Sequence, residues 1–174
     1  MLILGVDVGY RNLGLCTLRF DEETGETAIA NRARRDITEY ACGDPACPLG
    51  HTIHVADCVA HLLLDPVFHE ADVVCIERQP PGGLCAVEAL IYSSLRSKAI
   101  LISPNAMHRH FQINHLDYEE RKLAVLKISE ITGIGRLHDI ADAYCLAKFY
   151  SDKILKPKFR RDRAAIELEA FRYQ

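Results

Sequence analysis

Residues 137–149 read LHDIADAYCLAKF, and the rest of the chain is organised around this stretch. It has the composition of a helix with two acids near its start. Asp139 and Asp142 are three apart, so their side chains leave one face of the helix together. That face continues to Leu146 and Phe149, at the 3-4-3 spacing of a buried stripe. Two like charges aimed at a protein interior are costly unless a cation lies among them. Acids also favour the positive N-terminal end of any helix, which is the ordinary explanation for either aspartate alone. The stripe weighs against that explanation, and so do two acids upstream.

The first of these is Asp7. It interrupts LILGVDV at 2–8, an apolar run of the kind found in a strand covered on both faces. The second is Glu77, which follows DVVCI at 72–76, another run of that kind. Two interior strands therefore each finish on an acid.

Other elements fill in around these. Gly9 and Asn12 suit a tight connection to a second strand at 13–20, and DEETGE at 21–26 reads as a turn into a third at 27–38. The third strand carries Arg32, Arg34 and Arg35, which fit either a solvated sheet edge or a nucleic-acid contact. Residues 40–51 are loop-like. Thr52 resembles a helix N-cap, and Val55, Val59, Leu62 and Leu63 supply an apolar helical face ending before Pro66. A helix is expected at 84–98, with apolar residues spread widely around it, then a short strand at 99–102. A short helix at 103–111 and a longer one at 118–132, stopping at Gly133, come next. After the opening stretch comes a basic tail with Lys153, Lys156, Lys158, Arg160, Arg161 and Arg163. The expected fold is α/β, a mixed five-stranded sheet flanked by helices. Residues 1–174 are expected to form a single domain with a basic C-terminal tail.

Composition bounds the class. Hydrophobic content of 49% with 26% charged residues is that of an ordinary globular protein, and no apolar run reaches the roughly 18 residues of a membrane span. No signal peptide is read at the N-terminus. Seven cysteines form no disulfide-like framework, and Cys16, Cys75 and Cys145 fall inside expected strands or helices as small core residues. A reducing, intracellular compartment is expected: cytoplasm, nucleus or a viral replication site. The net charge of −3 does not advertise a nucleic-acid binder, but it does not exclude a local basic face.

Four carboxylates on two strand ends and one helix can meet at one end of a sheet. Oxygen-only clusters suit hard cations such as Mg²⁺ or Mn²⁺ rather than zinc. Two such ions about 3.5–4 Å apart clamp the attacking and leaving oxygens of a phosphodiester. No P-loop, dinucleotide fingerprint or Ser–His–Asp arrangement competes with this reading.

GVDVGYRNLGL around Asp7, VVCIERQ around Glu77 and HDIADA around Asp139 and Asp142 together resemble the RuvC-type Holliday junction resolvases of the RNase H-like superfamily. The resemblance spans about 2–150, and IERQP with the SPN segment is most similar to the poxvirus-type resolvases of large DNA viruses. It implies an RNase H-like fold. It also implies a Mg²⁺-dependent nuclease, with two ions per site and Mn²⁺ as a substitute, that cuts four-way junctions as a homodimer with paired symmetric nicks. Asp7, Glu77, Asp139 and Asp142 are then the catalytic and metal-binding residues. Arg11, Arg32, Arg34, Arg35, Arg78, Gln79, Lys156, Lys158, Arg160, Arg161 and Arg163 are the expected DNA contacts. The helix at 84–98 is the expected dimer contact, because its apolar residues lie too widely for one buried face.

There are two departures. Bacterial members carry an aromatic wedge shortly after the second acid, where this chain has Gln79, Pro80 and Pro81. Cys42, Cys47, His51 and His54, spaced C-x4-C-x3-H-x2-H, are of the type that holds a structural zinc. His138 is placed to tune the metal site, to touch the scissile phosphate, or simply to begin a helix. Two alternatives stay open: an RNase H-fold nuclease acting on RNA, like the RuvX/YqgF group, and a non-catalytic junction-binding protein. A sugar-kinase or actin-type ATPase needs two such domains and a longer chain.

Overall fold

The acid-bearing end of the fold is set by how closely one helix approaches the sheet. A computed structural model describes residues 1–40, 54–133 and 135–172, with side chains through residue 165. Strands β1 (Leu2–Asp7), β2 (Leu13–Phe20) and β3 (Thr27–Arg35) form an antiparallel meander. A 3-10 turn at Ile37–Tyr40 follows. Helices α1 (Val55–Leu62) and α2 (Pro66–Glu70) lead into β4 (Val73–Glu77), then α3 (Cys85–Ser94) and β5 (Ala99–Ile102). Helices α4 (Pro104–His110), α5 (Tyr118–Ser129) and α6 (His138–Tyr150) come next, and a π turn at Ser151–Leu155 joins α6 to α7 (Lys156–Arg172). The sheet order is β3-β2-β1-β4-β5, with β4 and β5 parallel to β1. This is the mixed five-stranded α/β sheet that the strand order implies.

The two sheet faces carry separate cores. Leu4, Val6, Leu13, Leu15, Val74 and Ile76 face α1, α2 and α3. Ile3, Cys16, Leu18 and Cys75 face α6, with α4 and α5 packed beside it. Both cores bury their strands, which is why β1 and β4 read as unbroken apolar runs. Cys16, Cys75 and Cys145 are free, fully buried core residues.

α6 lies across the middle of its face on small residues. Ala141, Ala143, Cys145 and Ala147 are fully buried. Gly5 and Gly14 are the sheet's answer to it. A Cβ on Gly5 would lie 1.8 Å from the Ala143 carbonyl oxygen, and one on Gly14 would lie 2.0 Å from that of Asp139. Both glycines are needed for close backbone approach. Gly14 therefore does more than serve the hairpin.

Several boundaries differ from the sequence expectation. β3 stops at Arg35 because the Asp36 carboxylate accepts from the Thr38 N–H (2.8 Å) and hydroxyl (2.5 Å), starting the 3-10 turn. Pro66 begins a helix rather than only ending one: Asp65 caps α2 by accepting from Val67 N, and proline is well tolerated in a first turn. The expected cap Thr52 lies outside the described residues, and His54 caps α1 by accepting from Ala56 N. α3 ends at Ser94, short of 98. α5 ends at Ser129 on Glu130, whose φ of 53° takes the left-handed place expected of Gly133. The basic tail is helical: the π turn carries α6 into α7, and Pro157 falls in the first turn of α7, where its missing N–H costs little. Asp152 on that turn pairs with Lys148 (2.8 Å), Lys156 (3.0 Å) and His110 (3.2 Å).

Gly14→Ala should displace α6 and destabilise the protein by about 2–3 kcal/mol, measured by denaturant unfolding. A cost within a few tenths of a kcal/mol of zero would show that the close approach does not constrain the fold.

Candidate active site

β1 and β4 are adjacent and parallel, with Val6 beside Ile76, so Asp7 and Glu77 end neighbouring strands at the same edge. Both belong to the set of alternate residues that faces α6. Asp142, in the second turn of α6, acts on both of them, and Asp139, in the first turn, is buried with its backbone against Gly14. Gly14 lies opposite Asp7, and its close contact with the Asp139 backbone sets the height of the helix over the strand ends.

The acids feel one another. Burial first, then Glu77 and Asp142, raise the Asp7 carboxyl well above its usual range. A hydrogen bond to Glu77 raises it further, with Asp7 as the protonated partner, while Lys122 opposes. Burial also raises Glu77, against the hydrogen bonds from Asp7 and Gln79. The Gln79 amide nitrogen donates to Glu77 Oε2 at 2.7 Å, and its oxygen accepts from Leu84 N at 3.3 Å. Gln79's own N–H is anchored on the Glu88 carboxylate.

A cation that the sequence did not single out sits among these groups. Lys122, on α5, pairs with Asp142 at 2.5 Å, and its charge also acts on Asp7 and Glu77. Its signal was hidden in EERK at 119–122, which reads as an ordinary charged helix start. Arg136 was likewise not singled out. Its Nε lies 3.0 Å from Asp139 Oδ2 and donates to His138 Nε2 at 2.9 Å. Burial, with the charges of Lys122 and Arg136, holds His138 below its usual value against the pull of Asp139. The imidazole is therefore neutral near pH 7, as its acceptance of the Arg136 bond requires.

The donor set fits hard cations. Asp7, Glu77 and Asp142 act on one another, Asp7 and Glu77 are pushed upward by burial and mutual repulsion, and on the same helix as Asp142 the Asp139 Oδ2 is buried with no hydrogen-bond partner. With Lys122 and Arg136 paired to two of the acids, no three carboxylate, imidazole or thiol groups are arranged to share one ion among the described residues.

The remaining expected contacts divide by position. Asp7 pairs with Gly14 and Gly14 with Arg34, so Arg34 lies on the acid face about 10 Å from Asp7 across two strand spacings. Arg32, opposite Cys16, shares that face. Arg35 points the other way and is engaged by Asp65 at 2.9 Å. Arg11 and Arg78 are exposed near the strand ends. The Gln79 amide and the Lys156 ammonium are committed to bonds within the chain. Lys158, Arg160, Arg161 and Arg163 are exposed on α7, which docks through Phe159 against Phe20 and Gly25. That is the opposite end of β2 from Gly14, about 20 Å from the acids. Cys42, Cys47 and His51 lie outside the described residues. Among the described residues no helix is long and apolar enough to cross a membrane.

By sequence, the chain matches no protein-family model and no curated protein. By structure, it is similar to the fowlpox virus resolvase solved with Holliday junction DNA, at 20% identity and a TM-score of 0.64, over 89% of this chain and 99% of that one. It is similar to the yeast mitochondrial Holliday junction resolvase Ydc2, at 16% identity and a TM-score of 0.65, over 95% of this chain and 85% of the other. Thermus thermophilus RuvC aligns at 17% identity and a TM-score of 0.55, over 87% and 96%. The chain thus has the RNase H-like fold of these resolvases.

The raised Asp7 carboxyl has a consequence for stability. Its contribution to folding is fully present below its ordinary value and is lost as pH rises through the raised one. In a chelator, Asp7→Asn should therefore melt above wild type at neutral pH, and the gap should close as pH falls. An equal offset at neutral and acid pH would remove Asp7 ionisation as the cause.

Proposed function

We propose that this chain is a metal-dependent endonuclease that resolves four-way DNA junctions. The observation that carries the reading is the meeting of Asp7, Glu77 and Asp142 around Lys122 at one sheet end, with Asp139 one turn earlier on the same helix, in a fold shared with Holliday junction resolvases. These four acids would hold two magnesium ions, or manganese in their place. Once bound, such ions supply Lewis-acid activation of water and neutralise charge at a phosphodiester.

The chain's own residues have separable roles. Gln79 fixes Glu77 by holding Oε2, and Glu88 fixes Gln79. Lys122 places a positive charge beside the acids, where it offsets their repulsion and attracts a phosphate. Neutral His138 can accept a proton at Nε2 once Arg136 releases that nitrogen. Arg32 and Arg34 present guanidinium forks on the acid face, within reach of backbone phosphates flanking the cut. Lys158, Arg160, Arg161 and Arg163 are far enough away to hold a junction arm rather than the branch point. Residues 1–174 act as one nuclease domain in a reducing compartment.

Resolving a four-way junction to intact duplexes takes two cuts on opposed strands, and one set of four acids makes one cut. A two-fold homodimer supplies both sets. The outer side of α3 supports this reading: Val87, Ile91 and Leu95 are buried under it, while Leu84, Cys85, Ala86 and Ala89 are exposed. Light scattering on the free protein should give twice the chain mass, and a cruciform plasmid should be linearised in one binding event. A monomer that yields only singly nicked circles would end the dimer reading.

The deciding assay is a synthetic four-way junction incubated with and without Mg²⁺, alongside single-stranded and duplex RNA. Paired nicks only with Mg²⁺ and only on the junction are expected. Asp7→Asn, Glu77→Gln, Asp139→Asn and Asp142→Asn should each abolish cutting and leave junction binding. Full activity in Asp7→Asn would sink the proposal, and preferential RNA cutting would reassign the substrate. Changing Arg32 and Arg34 together to Ala should lower the salt slope of junction binding by about two. Changing Arg160, Arg161 and Arg163 together should lower it too, and an unchanged slope would remove α7 from the DNA-binding surface.

A further inference from the structure

Asp139 is held differently from Asp142. It is 4% exposed, and its Oδ2 accepts no hydrogen bond although Arg136 Nε lies 3.0 Å away. The Nε–H of Arg136 is directed instead at His138 Nε2, 2.9 Å distant. Because Nε2 accepts that bond, the imidazole donates nothing to Asp139 Oδ1 at 3.4 Å. Arg136 therefore neutralises Asp139 by proximity alone, with 47% of its side chain facing solvent. Lys122, by contrast, is hydrogen-bonded to Asp142 and 24% exposed. Arg136 is delivered by a segment containing Gly133 (φ 147°) and Gly135 (φ 100°), conformations that glycine takes readily. A Cβ at Gly135 would meet nothing within 4 Å.

We infer that Arg136 is an exchangeable counter-ion: it neutralises Asp139 in the ion-free protein, a divalent cation displaces it, and it then takes a backbone phosphate of the bound DNA. The inference rests on the metal-dependent nuclease reading and deepens it. A dication at Asp139 repels a guanidinium 3 Å from the same oxygen, so the two exclude each other. A half-exposed side chain that donates no bond to the carboxylate loses little on leaving. Its planar fork suits a phosphate, and the displaced charge remains at the mouth of the site. Cation loading and DNA binding are thereby coupled through one side chain.

The test uses the full chain as wild type, Arg136→Ala and Arg136→Lys. In the absence of DNA, Mn²⁺ titrated by electron paramagnetic resonance should bind Arg136→Ala roughly fivefold more tightly than wild type, because its competitor is gone. Arg136→Lys, which keeps the charge, should stay near wild type. In a chelator Arg136→Ala should melt lower than wild type, and saturating Mn²⁺ should erase the difference. On a four-way junction in Ca²⁺, with products checked on the same gel, wild type should gain affinity over chelator conditions and Arg136→Ala should gain several-fold less. Unchanged Mn²⁺ affinity in Arg136→Ala would overturn the inference. So would a melting deficit that persists in Mn²⁺, or an equal Ca²⁺-dependent gain in both proteins. Wild type that binds Mn²⁺ but ignores four-way DNA would overturn the nuclease reading, and the Mn²⁺ comparison would still decide the counter-ion role.

Discussion

The structure depends on how near α6 comes to the sheet. Gly5 and Gly14 leave no Cβ where the Ala143 and Asp139 carbonyls lie, and the helix answers with Ala143 and Ala147. Two rows of small residues therefore bring two backbones into contact, and dispersion between them replaces side-chain interdigitation. The consequence is chemical as well as mechanical. A helix standing off by one side-chain layer would carry Asp139 and Asp142 away from strands that end on Asp7 and Glu77. The same contact that packs the core thus sets the spacing of the acids.

That spacing has an electrostatic cost, and its distribution shapes the site. Asp7, Glu77 and Asp142 repel one another at one sheet end, and burial deprives Asp7 and Glu77 of water. The chain answers by sharing a proton between Asp7 and Glu77 and by bringing cations to the helix pair: Lys122 to Asp142 and Arg136 to Asp139. The two cations come from different elements and are held differently. Lys122 stands on a helix with a capping box at its start, Asp117 and Glu120 bonding reciprocally. Arg136 follows two glycines in left-handed backbone. One cation is built into the scaffold, and the other approaches from a segment with no such cap.

Each of the four candidate acids stands out in the sequence because it violates a local pattern: a charge ending an apolar strand, or two charges on an apolar helical stripe. The sheet was legible for the same reason, since period and burial agree in β1, β2 and β4. Lys122 was not legible, because a lysine on a charged helix start satisfies every local rule and its significance comes from the packing of α5 on α6. Pro66 reads as a stop by local pattern, and Asp65 makes it a start. α7 reads as a tail because its residues are mostly charged and Phe159, its anchor on Phe20, is a single aromatic. Glu130 in left-handed backbone breaks the preference that pointed to Gly133. For Lys122 and α7 the deciding contact is distant in sequence, and for Pro66 it is one capping bond.

The arginines of β3 show how a small irregularity sorts function from structure. Up to Thr17 the pairing with β3 runs in one register, and beyond it Leu18 pairs with Ile29, so Ala30 is an extra residue. A slip of one residue exchanges the two faces of a strand. Without the bulge, the hairpin that pairs Phe20 with Thr27 would impose its own phase on the whole of β3. Arg35 would then face the acids, and Arg32 and Arg34 would face α2. With the bulge, Arg34 stands across Gly14 from Asp7, while Arg35 turns to Asp65 and ties the sheet edge to the start of α2. Three arginines equivalent in composition are thereby divided, two toward the acid face and one into the scaffold.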